Sequence, residues 1–385
     1  MKHIFSRTAL AAALVVGMGS ATAAVKVGFM LPYSGTYAAL GDAIEAGFKL
    51  YVDEQGGKLA GQEVEYFKVD DESDPSKAPD NANRLIQRDE VDVLVGTVHS
   101  GVALALAKAA KDNNVTLIIP NAGAGAITGP LCSPGVFRSS FSNWQPGYAM
   151  GKVAIDDGHK KAVTISWNYA AGDESTGGFK EAFEAGGGEV IKHLTLPFPN
   201  VEFQPLLTEI ASLKPDVVYT FFAGGGAVKF VQDYHSSGLG ETIPLVGAGF
   251  LTDGTLEAQG ESAQGLRTTL HYADGLDTER DNAFRKAFQE ANPTIPTDVY
   301  AVQGYDAAQM LHAGLKGVDG DLNKKEALWD AIRAAKIDSP RGEFTISAAG
   351  NPVQDIYLRE VKDDKNQVVS VAVENLADPA RGCKL

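Results

Sequence analysis

Cysteine and histidine are scarce in this chain, and their spacing argues against a metal site. Cys132 and Cys383 are the only two cysteines among 385 residues, and neither has a cysteine or histidine neighbour at ligand spacing. The seven histidines are scattered along the chain. We therefore expect no bound metal and no cofactor.

Basic residues are outnumbered by acidic ones. The chain has 34 lysines and arginines against 49 aspartates and glutamates, which gives a formal net charge of −15. Such an acidic chain repels nucleic acid and anionic lipid, so neither is expected as a partner.

Apolar runs long enough to cross a bilayer are missing, and the N-terminus is typical of a secretory signal. Residues 1–24 contain Lys2 and Arg7, then a short apolar stretch, then small residues that suit cleavage after Ala23 or Ala24. The apolar stretch is too short for the ~20 residues that a membrane span needs. The mature chain is therefore predicted to be exported and soluble.

Runs of valine, isoleucine and leucine alternate with helix-like segments along most of the chain. One such series ends near Phe141, and a second extends roughly from Gly147 to Thr268. This alternation is typical of parallel strands covered by helices on both faces, and it predicts an α/β protein with two lobes. Beyond Tyr272 the pattern returns to helices and then to short strands, so the chain should cross between the lobes more than once. Ligands of such sheets bind beyond the carboxyl ends of the strands, and two facing lobes would enclose a cleft.

An oxidising exported compartment permits the two cysteines to pair. Cys132 lies in a loop bounded by glycine and proline, and Cys383 lies near the chain end. We predict a disulfide that ties the C-terminal tail to the first lobe, and two unpaired, buried thiols are the alternative.

The segment "VDVLVGTVHSGVALALAKAAKD" places Ser100 where a strand ends and a helix begins. A helix N-terminus offers free N–H groups and partial positive charge to an anion, and serine is a good N-cap. The alternative is that Ser100 only caps its helix. The next strand ends in "PNAGAGAIT", whose small residues leave backbone N–H groups approachable, although a flexible loop would look the same.

Enzyme signatures do not stand out. The glycines from Gly123 onward resemble a dinucleotide fingerprint only loosely, because the next carboxylate is Asp156 and no acid stands at the spacing that holds a ribose. His99 and Ser100 are not predicted to be a catalytic base and nucleophile. Residues adjacent in sequence rarely face each other, and no nucleophile elbow surrounds the serine. We expect a binding protein and not an enzyme.

Several segments resemble, in order and spacing, the solute-binding proteins of branched-chain amino-acid type ABC importers. They extend from Val25 to about Val373 and read "VGFMLPYSGTYAALG", "VDVLVGTVHSGVALA", "VTLIIPNAGA", "FRSSFSNWQ", "NYAAGDESTGGFKEAF", "FRKAFQEA" and "AVQGYDAAQML". The resemblance implies a type I periplasmic-binding fold, with two Rossmann-like lobes joined by three crossovers that close on the ligand as a hinge. It places lobe one at 25–142 and 272–342, lobe two at 143–271 and 343–375, and a tail at 376–385. It also implies a periplasmic monomer whose partners are a small carboxylate and a membrane permease with its ATPase.

The resemblance implies roles for four residues. The serine that follows the third strand binds the ligand carboxylate in this family, which places that role on Ser100. The loop after the fourth strand supplies a main-chain carbonyl and a threonine, and these positions match Ala122 and Gly123, so the hydroxyl donor is missing here. A tyrosine that opens a helix of the second lobe matches Tyr169.

A second departure concerns the ligand's charge. Amino-acid binders place an acid in the strand-to-helix turn of lobe two, whereas this chain has Gly224, Gly225 and Gly226 there. A buried ammonium without a carboxylate partner is costly, so the sequence resembles the subgroup that binds aromatic carboxylates, either benzoate-like or phenylpropenoid. The alternatives are an amino-acid or short-amide binder that uses Asp173 or Glu174, and, more remotely, an exported enzyme.

Aromatic side chains and glycines fit an aromatic ligand. The glycines would leave room for a flat ring, and aromatic faces stack on rings while their polar tips meet ring hydroxyls. His99 could neutralise the carboxylate if protonated, although a neutral, hydrogen-bonded histidine is the simpler interpretation. Each aromatic residue taken alone is more often part of a core. The candidates for the cleft are Tyr33, Tyr37, Trp144, Phe221, Phe250 and Tyr272.

Overall fold

The computed structural model describes residues 24–385. The predicted secretory signal over 1–24 lies, apart from Ala24, outside the described residues. None of the helices in the described part combines the length and apolarity that a bilayer span requires.

The first sheet has six strands. They are β1 (Val25–Leu31), β2 (Lys58–Leu59), β3 (Gln62–Asp70), β4 (Val93–Gly96), β5 (Thr116–Ile119) and β6 (Val136–Arg138). Their order is β2-β3-β1-β4-β5-β6, and only the short β2 runs antiparallel to its neighbour. Every residue of β4 and β5 is buried, as expected for central parallel strands with helices on both faces.

Four helices connect these strands. They are α1 (Ala38–Glu54), α2 (Ala78–Asn83, extended by a π-helical turn), α3 (Ser100–Asp112) and α4 (Gly125–Thr128). The helix α3 follows directly on β4, so its N-terminus lies at the carboxyl edge of the sheet.

The second sheet repeats this arrangement. Its parallel strands are β7 (Lys161–Trp167), β8 (Glu189–Leu196), β9 (Val217–Phe221), β10 (Leu245–Ala248) and β11 (Arg267–Leu270). The helices of this part are α5 (Trp144–Asp156), α6 (Ala170–Ala185), α7 (Gln204–Leu213), α8 (Gly224–Ser236) and α9 (Leu256–Gln259).

The remainder of the chain returns to each sheet in turn. Its elements are α10 (Glu279–Ala291), α11 (Val299–Gly317), α12 (Lys325–Arg333), β12 (Thr345–Ile346), β13 (Pro352–Lys362) and β14 (Lys365–Leu376). The helix α11 packs on α1 of the first sheet, and β13 adds antiparallel to β11 of the second. The chain therefore passes between the lobes after β6, after β11 and after α12. The predicted two-lobed α/β fold with three crossovers is confirmed.

Glycines allow α1 and α11 to approach closely. A Cβ atom on Gly47 would lie 2.0 Å from the carbonyl oxygen of Ala301, and one on Gly304 would lie 2.0 Å from that of Ile44. Backbone contact of this kind fixes the C-terminal helices to the first lobe.

The predicted disulfide is confirmed. Cys132 and Cys383 are bonded across 251 residues, with their Cα atoms 5.6 Å apart. The tail also contacts the second lobe, because the guanidinium of Arg381 lies 2.8 Å from the carboxylate of Glu181 on α6. The alternative of two unpaired thiols is therefore wrong.

Candidate functional site

A small cavity lies between the two lobes, at the carboxyl ends of their strands. Its volume is about 20 Å³. Residues that follow β4, β5 and β6 of the first sheet face residues that follow β7, β9 and β10 of the second. The lining consists of Tyr37, Leu40, Val98, Ser100, Asn121, Gly123, Phe141, Asn143, Tyr169, Ala171, Phe221, Ala223, Phe250 and Tyr300.

Several helices begin at this cavity. Ser100 opens α3, Asn143 precedes α5, Tyr169 precedes α6, Ala223 precedes α8, and Tyr300 lies in the first turn of α11. Helix N-termini carry partial positive charge and free N–H groups. Within residues 24–385, no Asp, Glu, Lys or Arg side chain lines the cavity. The cavity thus favours an anion and offers no charged partner for an ammonium group.

The hydroxyl of Ser100 is not occupied in capping its own helix. The N-cap of α3 is His99, whose Nδ1 accepts a hydrogen bond of 3.1 Å from the backbone N–H of Gly101. The expectation that Ser100 is the cap is therefore wrong, because the preceding ring reaches that amide first. The Ser100 side chain is buried at the cavity, and its Oγ lies 3.2 Å from Nδ2 of Asn143.

The environment of His99 favours the neutral ring. Burial lowers the pKa of His99 to about 4, against a weaker opposite effect of Asp74. Its ring stacks on Tyr169, with centroids 4.7 Å apart. His99 does not belong to the cavity lining, so it positions Tyr169 and caps α3.

The loop after β5 lines the cavity with Asn121 and Gly123, while the predicted role of the Ala122 main-chain carbonyl stays a prediction. The Ala122 side chain is buried in the core of the first lobe. A Cβ on Gly123 would lie 2.5 Å from Oδ1 and 2.6 Å from N of Asn143, so glycine is required for this close approach.

A pair of tyrosines joins the two lobes at the cavity. The hydroxyls of Tyr37 and Tyr169 are 3.0 Å apart. Burial raises the pKa of both hydroxyls above its ordinary value, so both stay protonated. Tyr37 comes from the turn before α1, and Tyr169 comes from the start of α6.

An aromatic wall forms another side of the cavity. The ring of Phe250 lies 4.6 Å from that of Phe141, 6.0 Å from that of Phe221 and 6.3 Å from that of Tyr300. The hydroxyl of Tyr300 is buried and has no hydrogen-bond partner among the described residues. Buried hydroxyls usually find a partner, so this group is available to a ligand.

Three predicted aromatic residues lie elsewhere. Trp144 donates its indole N–H to Glu181, at 2.9 Å, in a groove between α6 and the C-terminal tail. Tyr272 and Tyr33 donate their hydroxyls to carboxylates away from the cavity, those of Asp281 and Glu45. Their segments lead toward the cleft, but the side chains turn to these polar partners.

The glycines at the start of α8 do not line the cavity either. A Cβ on Gly224 would lie 2.3 Å from the carbonyl oxygen of Thr36, and Gly224 has a positive φ of 54°. A Cβ on Gly226 would lie 2.2 Å from the ring of Trp167, whereas one on Gly225 would approach Thr36 only to 3.4 Å. The glycines therefore permit close packing of α8 on these neighbours and do not open space for a ring.

The acids considered as alternative ammonium partners do not reach the cavity. Asp173 is exposed on α6. Oε2 of Glu174 accepts hydrogen bonds of 2.8 Å from the N–H of Gly125 and from Nδ2 of Asn143. Its partners are thus protein groups of the first lobe and of the crossover into α5.

Sequence reasoning missed several lining residues. Three of them lie shortly after a strand: Asn121 after β5, and Phe141 and Asn143 after β6. Ligands bind beyond the carboxyl ends of parallel strands, so these positions could have been predicted. Tyr300 follows the N-cap Asp298 of a helix distant in sequence, and no local pattern marks it. The lining residues that were not predicted are Leu40, Val98, Asn121, Phe141, Asn143, Ala171, Ala223 and Tyr300.

The arrangement of lobes and cleft agrees with a comparison against known families. A family model for periplasmic binding proteins matches residues 24–366. The chain belongs to the periplasmic binding protein family. Members of this family that serve ABC importers bind a small molecule and deliver it to a permease and ATPase complex, and they act as transport proteins and not as enzymes.

The relatives of this binding protein are associated with two classes of ligand, branched-chain amino acids and aromatic acids. It is 31% identical over 370 residues to the Leu/Ile/Val-binding protein homolog 6 of Brucella melitensis biotype 1, covering 94% of this chain and 93% of the relative. It is 55% identical to a solute-binding protein of an ABC transporter from R. palustris, solved in complex with benzoate, with a TM-score of 0.91 over 94% of this chain and 100% of that one. A solute-binding protein from Rhodopseudomonas palustris BisB5, solved with 3,4-dihydroxy benzoic acid, is 31% identical, with a TM-score of 0.87 over 92% of this chain and 99% of that one.

Proposed function

We propose that this binding protein captures a small aromatic monocarboxylate of the benzoate type between the lobes, which must separate to admit it because the cavity of about 20 Å³ has room for about one water molecule. The observation that carries the proposal is the combination of an aromatic wall with converging helix N-termini and no acidic lining side chain within the described residues. An aromatic ring fits the first feature, and a carboxylate fits the second. The solved relatives that hold benzoate and 3,4-dihydroxy benzoic acid support the same ligand class.

Each part of the cavity has a role in this proposal. The Ser100 hydroxyl and the N-terminus of α3 hold the carboxylate, and the backbone at Gly123 lies beside it. The rings of Phe141, Phe221 and Phe250 contact the aromatic ring. Tyr37 and Tyr169 close over the ligand by a hydrogen bond between the lobes.

An α-amino acid fits this cavity less well. Its ammonium group would be desolvated without a carboxylate partner, because Glu174 already accepts two hydrogen bonds from protein groups. An uncompensated buried charge costs several kcal/mol, on the order of 3 to 5. The names of the relatives from Brucella make leucine, isoleucine and valine the ligands to be tested against this argument.

Export and delivery complete the proposal. The predicted signal over 1–24 directs the chain to the periplasm, where the mature monomer closes on its ligand. The hinge divides the chain at the three crossovers, into 25–142 with 272–342 and 143–271 with 343–375, and 376–385 forms the tail. The loaded protein then delivers its ligand to a membrane permease with ATPase subunits.

Isothermal titration calorimetry and thermal unfolding test the ligand class. The panel contains benzoate, 4-hydroxybenzoate, cinnamate, leucine and a short amide. A ligand at 100 times its Kd stabilises the native state by about 2.7 kcal/mol, so true ligands raise the melting temperature clearly. Binding of leucine without binding of the aromatic acids would overturn the proposal. Chromatography of the recovered ligand should show it unchanged, and its conversion would point to an enzyme.

A further inference from the structure

A chain of hydrogen bonds links Glu174 to the hydroxyl of Ser100. Oε2 of Glu174 lies 2.8 Å from Nδ2 of Asn143, and the same nitrogen lies 3.2 Å from Oγ of Ser100. Oε2 also accepts the N–H of Gly125, at 2.8 Å, so two donors converge on one carboxylate oxygen. Glu174 belongs to α6 of the second lobe, whereas Gly125 and Ser100 belong to the first.

The chemistry of the carboxylate fixes the direction of these bonds. An ionised carboxylate only accepts hydrogen bonds, so the side chain of Asn143 must present its NH₂ group to Glu174. The second hydrogen of that NH₂ group then points to Ser100, whose oxygen acts as the acceptor. The hydroxyl hydrogen of Ser100 is consequently free to point into the cavity, where it can donate to an anion.

We propose that Glu174 is a positioning residue that sets Ser100 as a hydrogen-bond donor to the ligand carboxylate. This inference rests on the proposed function. Without the acceptor at position 174, the amide of Asn143 can turn and present its oxygen to Ser100. The hydroxyl would then donate to Asn143, and the ligand carboxylate would lose a donor. Gly125 belongs to the first lobe and Glu174 to the second. The hydrogen bond between them therefore holds the carboxylate in this position when the two lobes meet.

The surrounding charges agree with an ionised Glu174 in this role. The buried guanidinium of Arg138 donates to the carbonyl of Ala124, next to Gly125. Burial raises the pKa of Glu174, while the hydrogen bonds from Gly125 and Asn143 and the charge of Arg138 act in the opposite direction. Donors and a nearby cation thus offset part of the cost of burying this carboxylate, whose pKa remains raised by burial and, more weakly, by the charge of Asp378.

The test compares Glu174→Gln with Glu174→Met, which have similar size but differ in their ability to accept a hydrogen bond. We expect Glu174→Met to weaken benzoate binding about tenfold, which corresponds to one lost hydrogen bond to a charged group. Glu174→Gln keeps an amide oxygen for the same donors and should stay within about threefold of the wild type. Glu181→Gln is the control, since Glu181 lies on the same helix and contacts neither Gly125 nor Asn143.

A double-mutant cycle separates positioning from a general structural effect. If Glu174 acts through Ser100, then Glu174→Met should change the benzoate Kd less than about twofold in a Ser100→Ala background. Additive losses, or equal losses in the Gln and Met variants, would overturn the inference. Asn143→Ala interrupts the chain at its middle member and should show the same non-additivity, which keeps the test decisive if Glu174→Met folds poorly.

The outcomes for Glu174 and for the ligand class can be told apart. Wild-type protein that binds benzoate while Glu174→Met binds equally well overturns this inference alone. Wild-type protein that binds leucine and no aromatic acid overturns the proposed function, and the inference with it. Loss of leucine binding in Glu174→Gln would then assign the carboxylate to the ligand's ammonium group.

Discussion

Replacing Ser100 with alanine should weaken binding of an aromatic carboxylate with little loss of stability. The side chain is 1% exposed, and its Oγ accepts from Asn143 at 3.2 Å. Removal of one hydrogen bond to an ionised ligand costs about 1.5 to 3 kcal/mol, which corresponds to a Kd about 10- to 150-fold higher. The free energy of unfolding should fall by only about 1 kcal/mol, because one N–H of Asn143 loses its acceptor.

The affinity distinguishes this role from that of a helix cap, because the expected loss of stability is similar for both. Loss of an N-cap would reduce stability by about 0.5 to 2 kcal/mol and leave affinity unchanged. In the structure His99 already accepts the N–H of Gly101, so Ser100→Ala should not remove a cap. Calorimetry with benzoate gives the affinity, and urea denaturation gives the stability.

Ser212→Ala is a matched control for the loss of a serine hydroxyl. Ser212 is exposed on α7, and its hydroxyl donates to the carbonyl of Glu209 at 2.8 Å, away from the cavity. This variant should keep wild-type affinity and stability. If Ser100→Ala binds benzoate within about twofold of the wild type, Ser100 does not hold the carboxylate, since even one neutral hydrogen bond is worth more than that.

Three further predictions concern the surroundings of the site. Gly226→Ala should lower the free energy of unfolding by about 1 to 3 kcal/mol, because its Cβ would overlap the ring of Trp167, whereas Gly225→Ala should be tolerated in the same denaturation assay. Tyr300→Phe removes a buried hydroxyl that has no hydrogen-bond partner among residues 24–385, so it should leave thermal stability unchanged while reducing the affinity ratio of 4-hydroxybenzoate to benzoate; an unchanged ratio would show that this hydroxyl does not meet a ring substituent. Burial lowers the pKa of His99 to about 4, below its unfolded value of about 6.5. The stability that the neutral ring contributes is therefore complete above pH 6.5. It is lost as the pH falls toward 4, and the free energy of unfolding drops by up to about 3 kcal/mol. His99→Asn keeps a capping group that does not titrate, and denaturation between pH 4 and 7 should show a smaller loss; an equal loss would assign it to other groups.

Much of the architecture was determined by local patterns. The runs of β4 and β5 are buried throughout and almost entirely apolar, and helix signals separate such runs, so two α/β lobes and a cleft at the strand ends could be predicted. The disulfide followed from only two cysteines in an exported chain. Ser100 could be placed at the cleft because it lies where a strand gives way to a helix, whereas Tyr169 was placed there by the family resemblance.

The directions of individual side chains were decided only by tertiary packing. Trp144 and Tyr272 lie on segments that lead to the cleft. Each side chain turns away from the cavity to donate to a carboxylate, that of Glu181 on α6 or that of Asp281 on α10. A polar tip follows its nearest hydrogen-bond partner, and that partner is unknown until the chain is folded.

The triple glycine and Glu174 show the same limit. The sequence predicted room for a ligand ring at Gly226, but the space is filled by Trp167 of β7. The sequence likewise offered Glu174 as a charge for an ammonium group, whereas the folded chain engages it with Gly125 and Asn143. Sequence patterns determined which backbone segments meet at the cleft, because strand and helix periodicity is local. Only the tertiary structure decided which atoms remain available to a ligand, because each polar group bonds first to the neighbours that folding brings to it.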